Sequence, residues 1–364
     1  HYKLFYYWAN IKYSITYIRI VNNIHMSVQE EINKIIKNLR KISMQDFVQI
    51  SNFEKKLGFY NREEENKIGV KGHFITSPEI SSIFGMAMCN QFINKNPNVT
   101  KVHLLELGPG NGHLTSDILE EMNIHKIEVL STTLLEKSEY FKKKQIKKFS
   151  KVKNFSVISD IEEYYQSKND LVFVYSNEFL DTFGHKQYMN KNSQFYEVFI
   201  TIQKNQYLLT LENSIHSEYI EKDYSYLDFK DGDILEHSPH IDFFVESLNR
   251  NIKKYFFTTC DYGYTEYSKK STLRALRDHK KIDLFEFFEG VDYSFSVDFK
   301  RLTKLFEPNK SEIQSQSSFI KKYAANFFNK KTSDETEIIK NLLTGTKDNE
   351  MGLIFKNFNS KNHD

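Results

Sequence analysis

The chain is poor in cysteine: Cys89 and Cys260 are the only two among 364 residues. Their separation matches no metal-ligand or redox spacing, which excludes a thiolate zinc site and a disulfide framework. A reducing compartment is the simplest setting. No uninterrupted apolar stretch reaches membrane-spanning length, so no membrane span is expected. Charge excess is also lacking. The formal net charge is +2, with 50 basic residues against 48 acidic ones. Without a global basic field, nothing argues for nucleic acid as a partner. A G-x-S-x-G elbow and a P-loop are both missing, so hydrolase and kinase readings have no foothold. His237-Ser-Pro-His240 lacks the spacing of a metal pair on a helix, and no metal site is expected. Internal repeats and low-complexity linkers do not occur.

What is present suits a large domain with an elaboration: 40% of the residues are hydrophobic, enough for a substantial core. The richness in Lys, Asn, Ile, Phe and Tyr is a codon-bias composition and carries no function. Residues 1–25 contain no acid and many tyrosines. Freedom from acids is a transit-peptide trait, yet such a peptide would be richer in Arg and Ser. The first methionine is Met26, and the favoured reading makes residues 1–25 an upstream extension. Residues 26–100 read as an N-terminal helical region. It has an amphipathic helix at Ser27–Arg40, a second at Gln45–Leu57, an exposed loop at Asn61–Gly72, and a helix from Ser77-Pro78-Glu79 through Met88. Strand and helix signals alternate over 101–186. A β-meander and helix are inserted at 187–250, with turns at Lys191-Asn192 and Lys204-Asn205. Core completion follows over 251–356, and a polar, mobile tail over 357–364. This order predicts an α/β fold with a mostly parallel sheet and helices on both faces.

The most informative segment is Val102–Gly112, V-H-L-L-E-L-G-P-G-N-G. An apolar run ends in a glycine-dense turn, and Leu114, Ile118, Leu119 and Met122 then fall on one helical face. Glycine there lets a ligand approach the backbone. A dinucleotide fingerprint would need its third glycine at His113, but here it is Gly112. With Glu106 at the strand end, E-x-G-x-G-x-G resembles the first motif of S-adenosylmethionine (SAM) methyltransferases. An ordinary glycine turn and an NAD enzyme remain as alternatives.

Ligands of open α/β sheets bind beyond the carboxyl ends of the strands. The polar residues expected there are Glu106 with its glycines, Glu136, Asp160, the run Asn177-Glu-Phe-Leu-Asp181, and Asp261. Glu136 falls roughly 20 residues past the glycine loop, where an acid can take ribose hydroxyls. Helix capping is the alternative for Asn177 or Asp181.

Gly72-His-Phe-Ile-Thr-Ser-Pro-Glu-Ile80 with Phe84-Gly85, Leu105-Glu-Leu-Gly-Pro-Gly-Asn-Gly112, Asn177–Asp181 and Asp261-Tyr-Gly263 occur in that order. Thr272-Leu-Arg-Ala-Leu276, His279, Val297-Asp-Phe299, Glu350-Met-Gly352 and Phe355-Lys356 follow them. The ordered set resembles the MidA family of SAM-dependent methyltransferases, over about Gln45 to Phe358. Mitochondrial members of that family are arginine methyltransferases that assist assembly of respiratory complex I. The resemblance implies a class I SAM-methyltransferase (Rossmann-like) core, an N-terminal helical region and an inserted β-rich and helical substrate-side region. It implies that SAM is held by Gly108, Gly110, Gly112 and Glu136, with Glu106, Pro109 and Asp160 completing the strand-end set. Thr76, Pro78 and Glu79 would border the cofactor, and Asn177, Glu178 and Asp181 would face the acceptor. Two positions depart from the family pattern: Asn111 stands where Arg is common, and Thr182-Phe-Gly184 where Ala-Leu-Pro is usual.

The implied activity is protein arginine N-methylation, with a complex I subunit as the family-implied partner. An arginine acceptor is cationic and a poor nucleophile, and Glu178 with Asp181 would orient its guanidinium. A small-molecule methyltransferase and a non-catalytic SAM-binding assembly chaperone are the alternatives. The expected location is bacterial cytoplasm, with the mitochondrial matrix as the alternative. Oligomeric state is left open.

Overall fold

The computed structural model describes residues 27–360, apart from 64–66, 70–71, 165–169, 214–219, 221, 225, 268, 307–311, 331–333 and 345–352. The expected extension 1–25 and the tail residues 361–364 lie outside the described residues.

The main sheet contains β1 (Lys101–Leu107), β2 (Glu128–Leu135), β3 (Phe155–Ile158), β4 (Val172–Asn177), β5 (Tyr255–Tyr264), β6 (Val297–Asp298), β7 (Ile313–Ser315) and β8 (Leu353–Asn359). Its spatial order is β7-β8-β5-β4-β1-β2-β3, with β6 against the end of β5. Strands β1 to β5 run parallel, while β8 is antiparallel to β5, and β7 to β8. The parallel strands are apolar on both faces, as strands covered by helices must be. Val172, Phe173, Val174 and Tyr175 are all fully buried. Alternation along β1 sends Leu104 to a core with Phe84, Phe173 and Phe256, and Leu105 and Leu107 to one with Val174, Phe257 and Leu248. The order reverses between β1 and β4, so the switch-point crevice opens over the glycine loop and the Asn177 run.

The helices that flank the sheets include α1 (Val28–Leu39), α2 (Met44–Phe53), α3 (Ser77–Ile80), α4 (Ile83–Lys95), α5 (His113–Ile124), α6 (Glu139–Lys148) and α7 (Pro239–Asn251). A second, antiparallel sheet contains Lys186–Lys191, Gln194–Gln203, Gln206–Asn213 and Ile234–His237. Asn192 and Ser193, then Lys204 and Asn205, all have positive φ, the backbone of tight primed hairpin turns. Ile42–Ser43 joins this sheet beside Phe199 and Ile200. Helices α1 and α2 pack against it: Val28, Ile32, Phe47 and Val48 share a core with Ile200, Phe288 and Tyr293. A three-stranded sheet of Arg274–Arg277, Lys280–Lys281 and Asp292–Ser294 closes over the crevice. Just past its last strand, the Phe295 N–H donates to the Asp181 carbonyl at 2.9 Å.

Four local expectations are corrected. The helix expected from Ser77 through Met88 is broken: Thr76 is the N-cap of α3, Ser81 is extended, and α4 starts anew at Ile83. The Ser81 hydroxyl accepts the Ile83 N–H, which favours the restart. The second N-terminal helix ends at Phe53 rather than Leu57, with Glu54 Oε2 accepting the N–H groups of Lys56 and Leu57 in a turn. The loop Asn61–Gly72 is not uniformly exposed. Asn61 and Lys67 are buried, Asn61 donating to the Phe53 and Glu54 carbonyls and Lys67 to the Tyr60 carbonyl. Finally, Asn357 to Asn359 are no tail. They end β8, where Asn357 Oδ1 accepts the Glu312 N–H and Phe358 is fully buried.

Candidate active site

The glycine loop follows β1 directly. Gly108 has φ +64°, and a Cβ there would stand 2.7 Å from the Phe179 ring. Gly110 has φ +50°, and its Cβ would stand 3.1 Å from Ile68. Both positions therefore need glycine for backbone conformation, and Gly108 for space as well. Gly112 starts α5 as its N-cap. The loop is held from outside by Lys148, whose Nζ donates to the Asn111 and Gly112 carbonyls at 2.9 and 3.0 Å. Asn111, the departure from the family pattern, donates to Glu79 Oε1 at 2.9 Å. Glu79 Oε2 lies 3.5 Å from His113. Glu79 is thus brought beside the loop, with Thr76 and Pro78 in the same first turn of α3.

Glu136, one residue past β2, is buried. It accepts the Ser138 N–H at 2.8 Å and Gln145 Nε2 at 3.2 Å. Gln145 also donates to the Gly110 carbonyl at 2.8 Å, so it ties the loop to this acid. Burial pushes the Glu136 carboxyl up to about 7, against the pull of those donors. Gln145 Oε1 is enclosed and has no donor. Asp160 is exposed beyond β3, where it accepts the Glu162 N–H. Glu106 differs from the expectation. It is enclosed beneath the loop and accepts the Thr115 hydroxyl of α5, which also bonds the Tyr175 hydroxyl. Burial pushes its carboxyl up to about 8. It fastens helix α5 to strand β1.

At the ends of β4 and β5 four carboxyl groups converge: Glu178, Asp181, Asp261 and Asp292. Asp261 is spent on structure. Its Oδ1 accepts the N–H groups of Phe179, Leu180 and Asp181 at 2.9, 2.8 and 3.2 Å, and its Oδ2 the Thr259 hydroxyl. This clamp shapes the turn that carries the other two acids. Glu178 takes φ +50°, rare for a residue with a Cβ and typical of strain kept at functional sites. Its N–H donates to the Cys260 carbonyl, and its Oε1 accepts from Asn177 at 3.1 Å. Burial first, then Asp261 and Asp292, push Glu178 up to about 8. Asp181 is raised well above the carboxylate range by burial first, then by Asp261 and Glu178, against the pull of Arg274. Asp292 accepts the Tyr60 hydroxyl at 2.8 Å and is raised to about 6 by burial. Two acceptor atoms in this recess have no donor: Asn177 Oδ1 and Asp181 Oδ1. The Arg274 guanidinium carbon is 4.3 Å from the Tyr262 ring centre, with Nη2 3.8 Å from Asp181 Oδ2.

A family model of S-adenosyl-L-methionine-dependent methyltransferases matches residues 84–316, well over half of the chain. The chain belongs to this methyltransferase family. Among its relatives, the Caenorhabditis elegans protein arginine methyltransferase NDUFAF7 homolog, mitochondrial, is 26% identical over 277 residues, 68% of this chain and 64% of that protein. The human protein arginine methyltransferase NDUFAF7, mitochondrial, is 25% identical over 288 residues, 70% of this chain and 64% of that protein. The chain thus spans about 64% of the length of these curated relatives. A crystal structure from Burkholderia thailandensis bound to S-adenosyl-homocysteine superposes with a TM-score of 0.78 at 15% identity, covering 93% of this chain and 92% of that one. At that identity the match speaks for the fold, a Rossmann-like methyltransferase core.

The crevice suits an adenosyl cofactor. Its loop carries no Cβ at Gly108 or Gly110. The adjacent acid Glu136 is tied to the loop through Gln145, whose Oε1 still needs a donor. Sequence reasoning missed Gln145, Lys148, Tyr60, Asp292 and the role of Arg274. Arg274 fell inside a stretch that carried the resemblance, without a role. The other four sit in helices, loops and strands with no pattern that marks them.

Proposed function

We propose that this methyltransferase transfers a methyl group to an arginine side chain of a partner protein. The observation that carries the reading is the pair of enclosed, donorless acceptors, Asn177 Oδ1 and Asp181 Oδ1, in a recess with four carboxyl groups and one guanidinium. Such a recess favours a cation rich in N–H groups, and a guanidinium has five in a planar fork. When bound, SAM supplies an activated methyl group on a sulfonium. Glu136 would hold the ribose hydroxyls, with Gly108, Gly110 and Gly112 admitting the nucleoside to the backbone. Asp160, Thr76, Pro78 and Glu79 would border it. Asn177 and Asp181 would orient the acceptor guanidinium and draw charge away from the attacking nitrogen. A cation beside Glu178 and Asp181 would favour their ionised forms. The proton lost by the acceptor nitrogen would then pass to one of these carboxylates.

The curated relatives are named as mitochondrial arginine methyltransferases, which supports the same acceptor chemistry here. Among the described residues no helix is long and apolar enough to cross a membrane. We place the acceptor among respiratory complex I subunits on the strength of the family resemblance. The test is a lysate from a strain lacking the protein, incubated with labelled SAM and analysed by mass spectrometry. Label on protein arginine is the expected result. Label confined to small metabolites would move the protein to the small-molecule class, and no label at all to a cofactor-binding chaperone. Asp181→Asn should keep S-adenosyl-homocysteine affinity and lose transfer at least about tenfold, the effect of one charge-assisted contact.

A further inference from the structure

Arg274 is the unexplained group of the recess. It reaches the site from the three-stranded sheet, on the strand that pairs with Asp292–Ser294. Its guanidinium carbon stands 4.3 Å from the centre of the Tyr262 ring, a cation–π contact. Its Nε and Nη2 are both enclosed, and neither has a hydrogen-bond acceptor. The nearest carboxylate oxygen, Asp181 Oδ2, is 3.8 Å from Nη2, beyond hydrogen-bonding reach. The hydrogens of Nε and Nη2 point along one edge of the guanidinium, a fork that matches oxygen acceptors. An enclosed donor pair without an acceptor is costly, and the cost is relieved when a ligand supplies the oxygen.

The acceptor guanidinium cannot supply it, because it has only donors. A second carboxylate is disfavoured beside Glu178, Asp181 and Asp292. A neutral carbonyl oxygen meets the need without adding negative charge. We infer that the Nε–Nη2 edge of Arg274 receives a backbone carbonyl of the acceptor, so that the site selects arginine within a peptide over free guanidinium compounds. The inference rests on the arginine reading above and adds the group that distinguishes a polypeptide substrate. Recognition is then split: Asn177 and Asp181 accept from the side chain, while Arg274 donates to the main chain.

Two singly charged probes separate these contributions: N-butylguanidinium, which has no carbonyl, and N-acetyl-arginine N-methylamide, which has two. Calorimetry would use the full chain saturated with S-adenosyl-homocysteine. The wild type should bind the arginine amide at least about tenfold more tightly than butylguanidinium, the scale of one charge-assisted hydrogen bond. Arg274→Met should erase that preference by weakening the amide alone, with cofactor affinity unchanged. Arg274→Lys, which keeps the charge without the fork, should recover only part of it. Equal binding of the two probes by the wild type overturns the inference and needs no variant. So does a preference that survives in Arg274→Met. A parallel loss of cofactor affinity in Arg274→Met would assign the fork to the cofactor instead, leaving the arginine reading intact. If neither probe binds the wild type, the arginine reading itself fails, and this inference with it.

Discussion

Glu178 combines a left-handed backbone, a carboxyl pushed up to about 8 and a place at the end of β4. Its folded form holds a proton that an unfolded glutamate gives up near its ordinary value of 4.5. Stability from this group is therefore full below that value and is lost as pH rises toward 8. Glu178→Gln imitates the protonated state. The variant should melt a few degrees higher than wild type at pH 8, match it at pH 5, and transfer methyl groups more slowly. Equal melting at pH 8 would show that the carboxyl is not held protonated. Gly108 makes a steric claim. Gly108→Val places a branched side chain at a positive φ and against Phe179, and should abolish S-adenosyl-homocysteine binding in calorimetry. These residues were legible in the sequence because glycines and acids clustered where strands were expected to end. Arg274, Tyr60 and Asp292 were not. They arrive from segments far from the Asn177 run in the chain, and only the closure of the small sheet and the Tyr60 loop over the crevice brings them in.

At the level of elements, the turn Leu180–Thr182 is built by a residue from another strand. Asp261 on β5 accepts three consecutive N–H groups from Phe179, Leu180 and Asp181. It was read as a strand-end acid open to ligand, but β5 runs on to Tyr264 and Asp261 lies within it. Its task is internal because β5 lies directly beside β4 in the sheet. Asp261→Ala leaves those donors without a partner and should cost about 3 kcal/mol or more, read as a lower denaturation midpoint. Asp261→Asn retains an acceptor oxygen and should lose less. The parallel strands and the hairpin turns were legible because their apolar runs and Asn-containing turns are local signals. The α3–α4 break and the inward side of the Asn61–Gly72 loop were not. There, polar residues find partners inside the fold, and a polar composition alone reads as exposure.

Across the whole molecule, two sets of buried groups oppose each other in pH. Burial raises the acids: Glu106 and Glu178 to about 8, Glu136 to about 7, Asp292 to about 6, and Asp261 above its ordinary value. Each contributes stability that is full below its ordinary carboxyl value and is lost as pH climbs through its raised value. Burial lowers the histidines: His185 and His240 to about 4, and His237 well below its ordinary value. Each contributes stability that is full above the ordinary value of 6.5 and is lost as pH falls toward 4. The histidines sit where the inserted sheet meets α7, and the acids sit at the ends of the parallel strands, so the two limbs report different parts of the fold. Between the ordinary carboxyl and histidine values the two sets partly cancel. Above 6.5 only the acids continue to lose. Five raised acids outweigh three lowered histidines, so the melting temperature should peak near the ordinary carboxyl value of 4.5 and fall from there toward about pH 8.5. A thermal series in one mixed buffer at constant ionic strength checks this. Glu178→Gln should flatten the alkaline limb and leave the acid limb unchanged, whereas His185→Gln should flatten the acid limb alone. An alkaline limb indifferent to Glu178→Gln would remove the crevice acids as its cause.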